Sequence, residues 1–449
     1  MDENRSTKPE SSQFREFIGS GWAERVETPP SLRPGAEFAA SRRDKLSAIF
    51  AGERIVIEAG SLKVRSNDTD YAYRAHSDFA YLTGWGSDSE PDSVLVFEPT
   101  ATGHDCFLYF RPPAGRDTDE FYANAQIGEF WIGRRPSLAH VGSELGLVTR
   151  DLTDFDGHTM TDELSGRVAR ELSEMRLVKG SWEIEQMRAA VDSTARGFSD
   201  ITRVIKVIAG NHRGERLVEG AFASRARLEG NGVGYDTIAA SGAHSCILHW
   251  TRNDGTVNNG DLILIDAGVE LDSYYTADIT RTLPVSGTFT PIQRKVYEGV
   301  RKAADAAFAI VKPGITFRDV HAEAMRVIAE LTAEWGLLPV TAEESLDLAN
   351  QHHRRYMVHG TSHHLGIDVH DCAEARKSMY MDGEVKAGMV FTIEPGLYFQ
   401  PDDLTVPEEY RGIGVRIEDN ILVTESGAEN LSVGIPRTAD DVEAWLATH

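Results

Sequence analysis

The chain has 449 residues, of which 46 are basic and 70 acidic, for a formal charge of −24, and 41% are hydrophobic. That length corresponds to about three domains, or two larger ones. The acidity argues against a nucleic-acid-binding chain, which presents a basic face, and no apolar stretch approaches the roughly 20 residues needed to span a bilayer.

The opening MDENRSTKPESS is polar and lacks the basic-then-apolar order of a signal peptide. Residues 1–40, broken by Pro29-Pro30 and Pro34-Gly35, read as an arm with a short helix near Phe14 to Trp22. Four strand-length apolar runs follow, RIVIEAG, DFAYLTGW, SVLVFEP and CFLYFRP, each bounded by turn residues. With the helices expected between and after them they make a smaller α/β domain over 41–178. From Ser181 to Ala209 the apolar positions Ile184, Met187, Val191, Ala195, Phe198, Ile201, Ile205 and Ile208 define one helical face, with Ser181 as the expected cap. Two more helices are expected, from Thr290-Pro291 and from Thr316, where Thr316-x-x-Asp319 resembles a capping box. Around them lie strand-like YDTIAAS, CILHW, DLILIDAG, ADITRTLPV, MVFTIEPGLY and GVRIEDNILVT. Strands interleaved with long helices, without strict alternation, predict an α+β domain with antiparallel strands over 179–449. Cys106, Cys246 and Cys372 are far apart and in no CxxC pair, which fits a reduced, cytoplasmic protein in which they are packing residues.

Four of these strand-like segments carry an acid where a core strand should hold Val or Ile: Asp266, Asp278, Glu394 and Glu418. Clustered without partners, they would raise one another's pKa and destabilise the fold. Two divalent cations would balance them, held roughly 3.5–4 Å apart with at least one carboxylate bridging. Oxygen-rich ligation favours Mn²⁺, with Co²⁺ or Zn²⁺ as substitutes. HGTSHHLGIDVHD supplies His359, His363, His364 and His370, and CILHW supplies His249 at the end of an apolar run. The residues alone leave open which histidine binds metal. QHHRRY (351–356) reads as a solvated surface run.

The ordered set LIDAG, ADITRT, HGTSHHLGIDVHD, TIEPGLY and VRIEDN resembles the aminopeptidase P and prolidase branch of the pita-bread metallopeptidases. MRLVKGSWEIEQMRAA resembles the start of that catalytic domain and SGAHSCILHW its substrate-side segment, while YRAHSDFAYLTGW and FWIGRR resemble the aminopeptidase P accessory domain. The resemblance covers roughly residues 40 to 435 and implies a C-terminal pita-bread domain. It implies that Asp266 ligates one metal, that Asp278 and Glu418 bridge both, and that His363 and Glu394 complete the coordination of the second metal. His249 and His370 would line the substrate side and stabilise the developing oxyanion. His359 and Arg416 would support the site, with Tyr398 a further outer candidate. Asp266 and Asp278 stand one residue further apart than in the commonest members, to be absorbed in the turn VELDSY or as a bulge.

The implied function is a dinuclear metal-dependent aminopeptidase that releases the N-terminal residue of peptides with proline in position two. A hydroxide between the ions would attack, and Glu394 would relay the proton. The alternative within the class is a prolidase restricted to Xaa-Pro dipeptides. Methionine aminopeptidases usually lack a large N-terminal domain, and creatinase-like members lack these metal acids. A catalytically dead binding module would have lost a ligand, whereas all five positions are occupied. Peptides are the expected partners, without nucleic acid or membrane, and the family's habit implies a homo-oligomer, dimer or tetramer, built through the N-terminal domain.

Overall fold

The computed structural model describes residues 8–448. The polar residues 1–7, which open the expected arm, lie outside the described residues. The chain divides into two compact units, one up to Val168 and one from Ala169.

The first unit is built on a four-stranded sheet, in the order Ile55–Glu58, Val94–Thr100, Gly103–Phe110, Val148–Asp151. The first two pairings are antiparallel and the last is parallel. Val94, Leu95, Val96 and Phe97 are all buried, so the sheet is covered on both faces there. DFAYLTGW is not a strand: Ser77–Thr83 is a helix with every residue buried and Gly84 as a left-handed C-cap at φ +72°. A helix buried all round has no polar face, which leaves a short apolar run ambiguous between helix and strand. The arm carries a helix at Ser12–Gly19, near the expected place.

The second unit is helices over antiparallel strands. Every strand pairing in it is antiparallel. The long helices Ser181–Ile208 and Gly214–Glu229 pack on each other, as do Pro291–Ala309 and Phe317–Glu334. Thr290 caps the third through its side chain, with Pro291 at the first helical position, as its sequence predicts. The first helix is capped by Gly180 rather than Ser181; the Gly180 N–H donates to Glu183 at 2.8 Å, so the acid three residues on does the capping. CILHW is not a strand either: a 3₁₀ turn occupies Gly242–Cys246, and irregular chain follows. QHHRRY is only partly solvated, because His353 and Tyr356 are buried and Ser345 bonds the His353 ring at 2.9 Å.

No helix of the described residues is long and apolar enough to cross a membrane.

Candidate active site

Two antiparallel ladders place the acids. Strands Leu262–Ala267 and Ile279–Pro284 pair with Asp266 opposite Thr280 and Ala267 opposite Ile279. The bridge between Glu270 and Thr276 keeps that register, so Gly268 faces Asp278 and there is no bulge. The turn is therefore confined to residues 271–275, where Tyr274 takes a left-handed φ of +69°. Thr280, the partner of Asp266, is two positions from Asp278, and side chains two apart share a face. Both carboxylates thus leave the hairpin on one side.

The second ladder works the same way. Val390–Ile393 pairs with Asp419–Val423 and Gly396–Tyr398 with Gly414–Arg416, in one continuous register. Pro395 interrupts it, and Glu394 and Glu418 face each other across the interruption. Glu418 therefore stands between two strands rather than in the middle of one. Beside this ladder, residues 361–364 run antiparallel to 391–394 through the Thr392 N–H to His363 O (3.0 Å) and the Glu394 N–H to Thr361 O (2.8 Å). Period-two alternation then sends His363 toward the acids and His364 into the core. The ladders meet where the Glu418 N–H donates to Thr280 O at 3.1 Å.

At the centre, ligand atoms of Asp278, His363 and Glu418 all lie within 4.8 Å of one another. His363 Nε2 is 3.2 Å from Asp278 Oδ2 and 3.5 Å from Glu394 Oε1. The His363 Nδ1–H donates to His364 O at 3.1 Å, which leaves Nε2 as the nitrogen aimed at the acids. Asp266 is held differently. Its carboxylate accepts from buried Arg416 and, at 2.7 Å, from the Tyr235 hydroxyl, which also reaches Asp278. Arg416 further donates to the Tyr398 hydroxyl (3.1 Å) and to Thr280 Oγ1 (3.1 Å). Tyr398 in turn donates to His359 Nε2 at 2.8 Å, while His359 Nδ1 donates to Gly360 O at 2.6 Å.

The charges do not balance with protein groups alone. Burial raises the Glu394 carboxyl to about 7 and, with Asp278, Glu394 and Asp266 nearby, holds Glu418 well above the carboxylate range. Burial works against charge on His363, yet Asp278 and Glu394 outweigh it and raise the imidazole to about 9. Glu418 Oε1 is buried without a hydrogen-bond partner among the described residues. An orphaned buried carboxylate oxygen beside an aspartate and an imidazole nitrogen fits a divalent cation, which would replace the proton on that nitrogen.

The site opens into a cleft of about 630 Å³. His249, His359 and His370 line it with the four acids and His363 above, and Leu248, Val369 and Tyr380 add apolar wall. The His370 ring meets the His363 ring edge-on, 4.4 Å between centroids. Tyr398 is not part of the wall and touches the site through His359 and Arg416. Sequence reasoning missed Tyr235 and Thr280. Thr280 Oγ1 donates to Glu418 at 2.7 Å and lies within the quoted ADITRT. Nothing in GYDTI signals that its tyrosine reaches two aspartates.

Comparison with known proteins gives consistent matches over both units. The pattern of Metallopeptidase family M24 matches residues 185–425, and that of the Aminopeptidase P N-terminal domain matches 39–166. Xaa-Pro aminopeptidase 1 of Streptomyces coelicolor is 49% identical, over 97% of this chain and 92% of that protein. Among solved structures, Pseudomonas aeruginosa aminopeptidase PepP matches with a TM-score of 0.80 at 31% identity, over 93% of this chain and 99% of its own. The zinc-substituted Escherichia coli aminopeptidase P in complex with product matches with a TM-score of 0.78 at 30% identity, over 93% and 99%.

Proposed function

This chain belongs to metallopeptidase family M24, and from that membership we propose how its own residues carry out the reaction. It is a divalent-metal-dependent aminopeptidase that removes the N-terminal residue in front of proline, acting on peptides. The finer reading is two Mn²⁺ ions held by Asp266, Asp278, His363, Glu394 and Glu418. When bound, such ions polarise the scissile carbonyl and lower the pKa of the attacking water.

The protein's groups do the rest. Glu394, on the cleft wall, takes the proton from the attacking water at its carboxylate oxygen and delivers it to the leaving nitrogen. That nitrogen belongs to the proline ring, so the amide offers no N–H and the pocket has none to satisfy. His249 and His370 donate to the carbonyl oxygen as charge develops on it. Arg416 fixes Asp266, and Tyr398 holds His359 in the tautomer whose Nδ1 carries the proton.

Peptides longer than two residues are favoured by one feature of the cleft. Among the described residues that line it, Arg416 is the one lysine or arginine, and Asp266, Tyr398 and Thr280 already engage its guanidinium. A dipeptide's free carboxylate finds no uncommitted permanent cation there. We assign residues 41–178 to the N-terminal domain and 179–449 to the catalytic one, with a cytoplasmic homo-oligomer, dimer or tetramer, as the working form.

The observation that carries the reading is the convergence of Asp278, His363 and Glu418 around a buried, unpartnered carboxylate oxygen. The test is a metal count on purified protein together with turnover of Xaa-Pro and Xaa-Pro-Xaa peptides with Mn²⁺ present. Two ions per chain and cleavage of the longer peptide are expected; hydrolysis of the dipeptide alone would overturn the substrate assignment. Glu394→Gln is expected to lower kcat about 10²–10⁴-fold, and full activity in that variant would refute the proton relay.

A further inference from the structure

His249 has no visible support of its own. Its side chain is exposed on the cleft wall, and among the described residues no hydrogen bond reaches its imidazole. Its position must therefore come from the backbone that carries it. That backbone is the irregular segment between strands Ile238–Ser241 and Leu262–Ala267, which also brings Leu248 and Thr251 to the cleft.

The segment converges on one carboxylate. Glu215 lies in the first turn of helix Gly214–Glu229 and is 0% exposed. Its Oε1 accepts from the Ser241 N–H at 2.9 Å and from His244 Nδ1 at 2.8 Å. Its Oε2 accepts from the Trp250 indole at 2.8 Å and from the Gly255 N–H at 2.6 Å. These donors stand at both ends of residues 241–255 and at two points within it. The His244 and Trp250 rings stack at 3.8 Å and 24°, closing the ring of contacts. A Cβ at Gly255 would fall 2.6 Å from Glu215 Oε2, so the glycine is what lets the chain end approach. A carboxylate offers about four acceptor sites and no donor, and all four are taken. A helix N-terminus stabilises the charge that makes these bonds strong.

Trp250 directly follows His249. Anchoring the indole to a buried acid fixes the peptide unit between them, and with it the direction in which the imidazole enters the cleft. We propose that Glu215 is a positioning residue for peptide hydrolysis, shaping the 241–255 segment so that His249 meets the scissile carbonyl. The inference rests on the assignment of His249 to that carbonyl.

The test is a double-mutant cycle between Glu215→Gln and His249→Ala. The carboxamide keeps the shape of Glu215 but its nitrogen cannot accept from the Trp250 and Gly255 N–H groups. Glu215→Gln alone is expected to lower kcat about 10-fold with KM within about 3-fold, and to change kcat less than about 2-fold once His249 is alanine. Amides of 242–254 are expected to exchange faster in metal-free Glu215→Gln, with metal stoichiometry unchanged. Trp250→Phe, which removes one donor and keeps the ring, repeats the cycle with a smaller loss and serves if Glu215→Gln does not fold. Equal losses with and without His249 would overturn positioning and leave Glu215 structural. Wild-type kcat in His249→Ala would instead overturn the assignment of His249, and the role of Glu215 with it.

Discussion

His364 and His363 are neighbours in sequence with opposite fates. His364 is 1% exposed, stacked on Phe317 at 4.5 Å with Tyr380 edge-on at 4.6 Å, and neither ring nitrogen has a hydrogen-bond partner among the described residues. Burial pushes its pKa down to about 3, so it is a neutral aromatic in the core. His364→Phe removes two unsatisfied polar atoms at nearly constant shape, and thermal unfolding should show a gain of about 1 kcal/mol with metal stoichiometry unchanged. A loss instead would mean that the ring nitrogens have partners in solution. At this scale the acids were legible because each breaks an apolar run, as Asp266 does after Leu262-Ile263-Leu264-Ile265. Among the histidines the choice stayed open, because only the pairing of 361–364 with 391–394 decides which way each ring points. Tyr235 and Glu215 were illegible: a tyrosine and a glutamate near element ends are commonplace, and their partners lie far along the chain.

At the scale of elements, the hairpin of Asp266 and Asp278 depends on close approach at Gly268. A Cβ there would fall 1.6 Å from Ala277 O, backbone against backbone, with no flexible group to yield. Gly268→Ala is therefore expected to cost more than about 2 kcal/mol, in the range of overpacked cores, and to weaken metal binding by spreading the ladder. Calorimetric titration of Mn²⁺ into the metal-free variant checks this; wild-type affinity would show that the acids do not depend on that approach. Long amphipathic helices were legible from periodicity, as at Pro291–Ala309 and Phe317–Glu334. Short apolar runs were not. Ser77–Thr83 is a buried helix, and CILHW bends because Glu215 gathers its neighbours, a tertiary cause that no local pattern records.

For the whole molecule, two predictions separate the units. Glu90, in the first, is raised to about 7 by burial, with Asp88 adding to the shift. An acid whose folded pKa exceeds its unfolded value holds its proton more tightly when folded. Its contribution to stability is therefore greatest below pH 4.5 and falls as pH rises toward 7. Discounted for its partial exposure, the loss is about 1–2 kcal/mol. Glu90→Gln should remove it, stabilising the protein at pH 8 and leaving it little changed at pH 5, as denaturant titration at both pH values would show. In the second unit, chelating the divalent ions should lower the melting temperature by several degrees. An ion at 100 times its Kd contributes about 2.7 kcal/mol, and domains of this size shift about 2–4 °C per kcal/mol. Faster amide exchange should concentrate in 169–449, and an unchanged melting temperature would count against buried metal ligation.

The unbroken register of the Asp266 hairpin makes the site a matter of parity. One residue inserted between Leu262 and Asp266 would turn Asp266 from the cleft to the opposite face, because strand side chains alternate. The same residue inserted at Asp272 would leave the pairs from Leu262–Pro284 to Glu270–Thr276 where they are. Chain length can therefore change at Asp272, the exposed residue of the tip, while the coordinating face stays fixed; buried Tyr274 and Tyr275, the latter bonded to Glu183, leave the rest of the tip no such freedom.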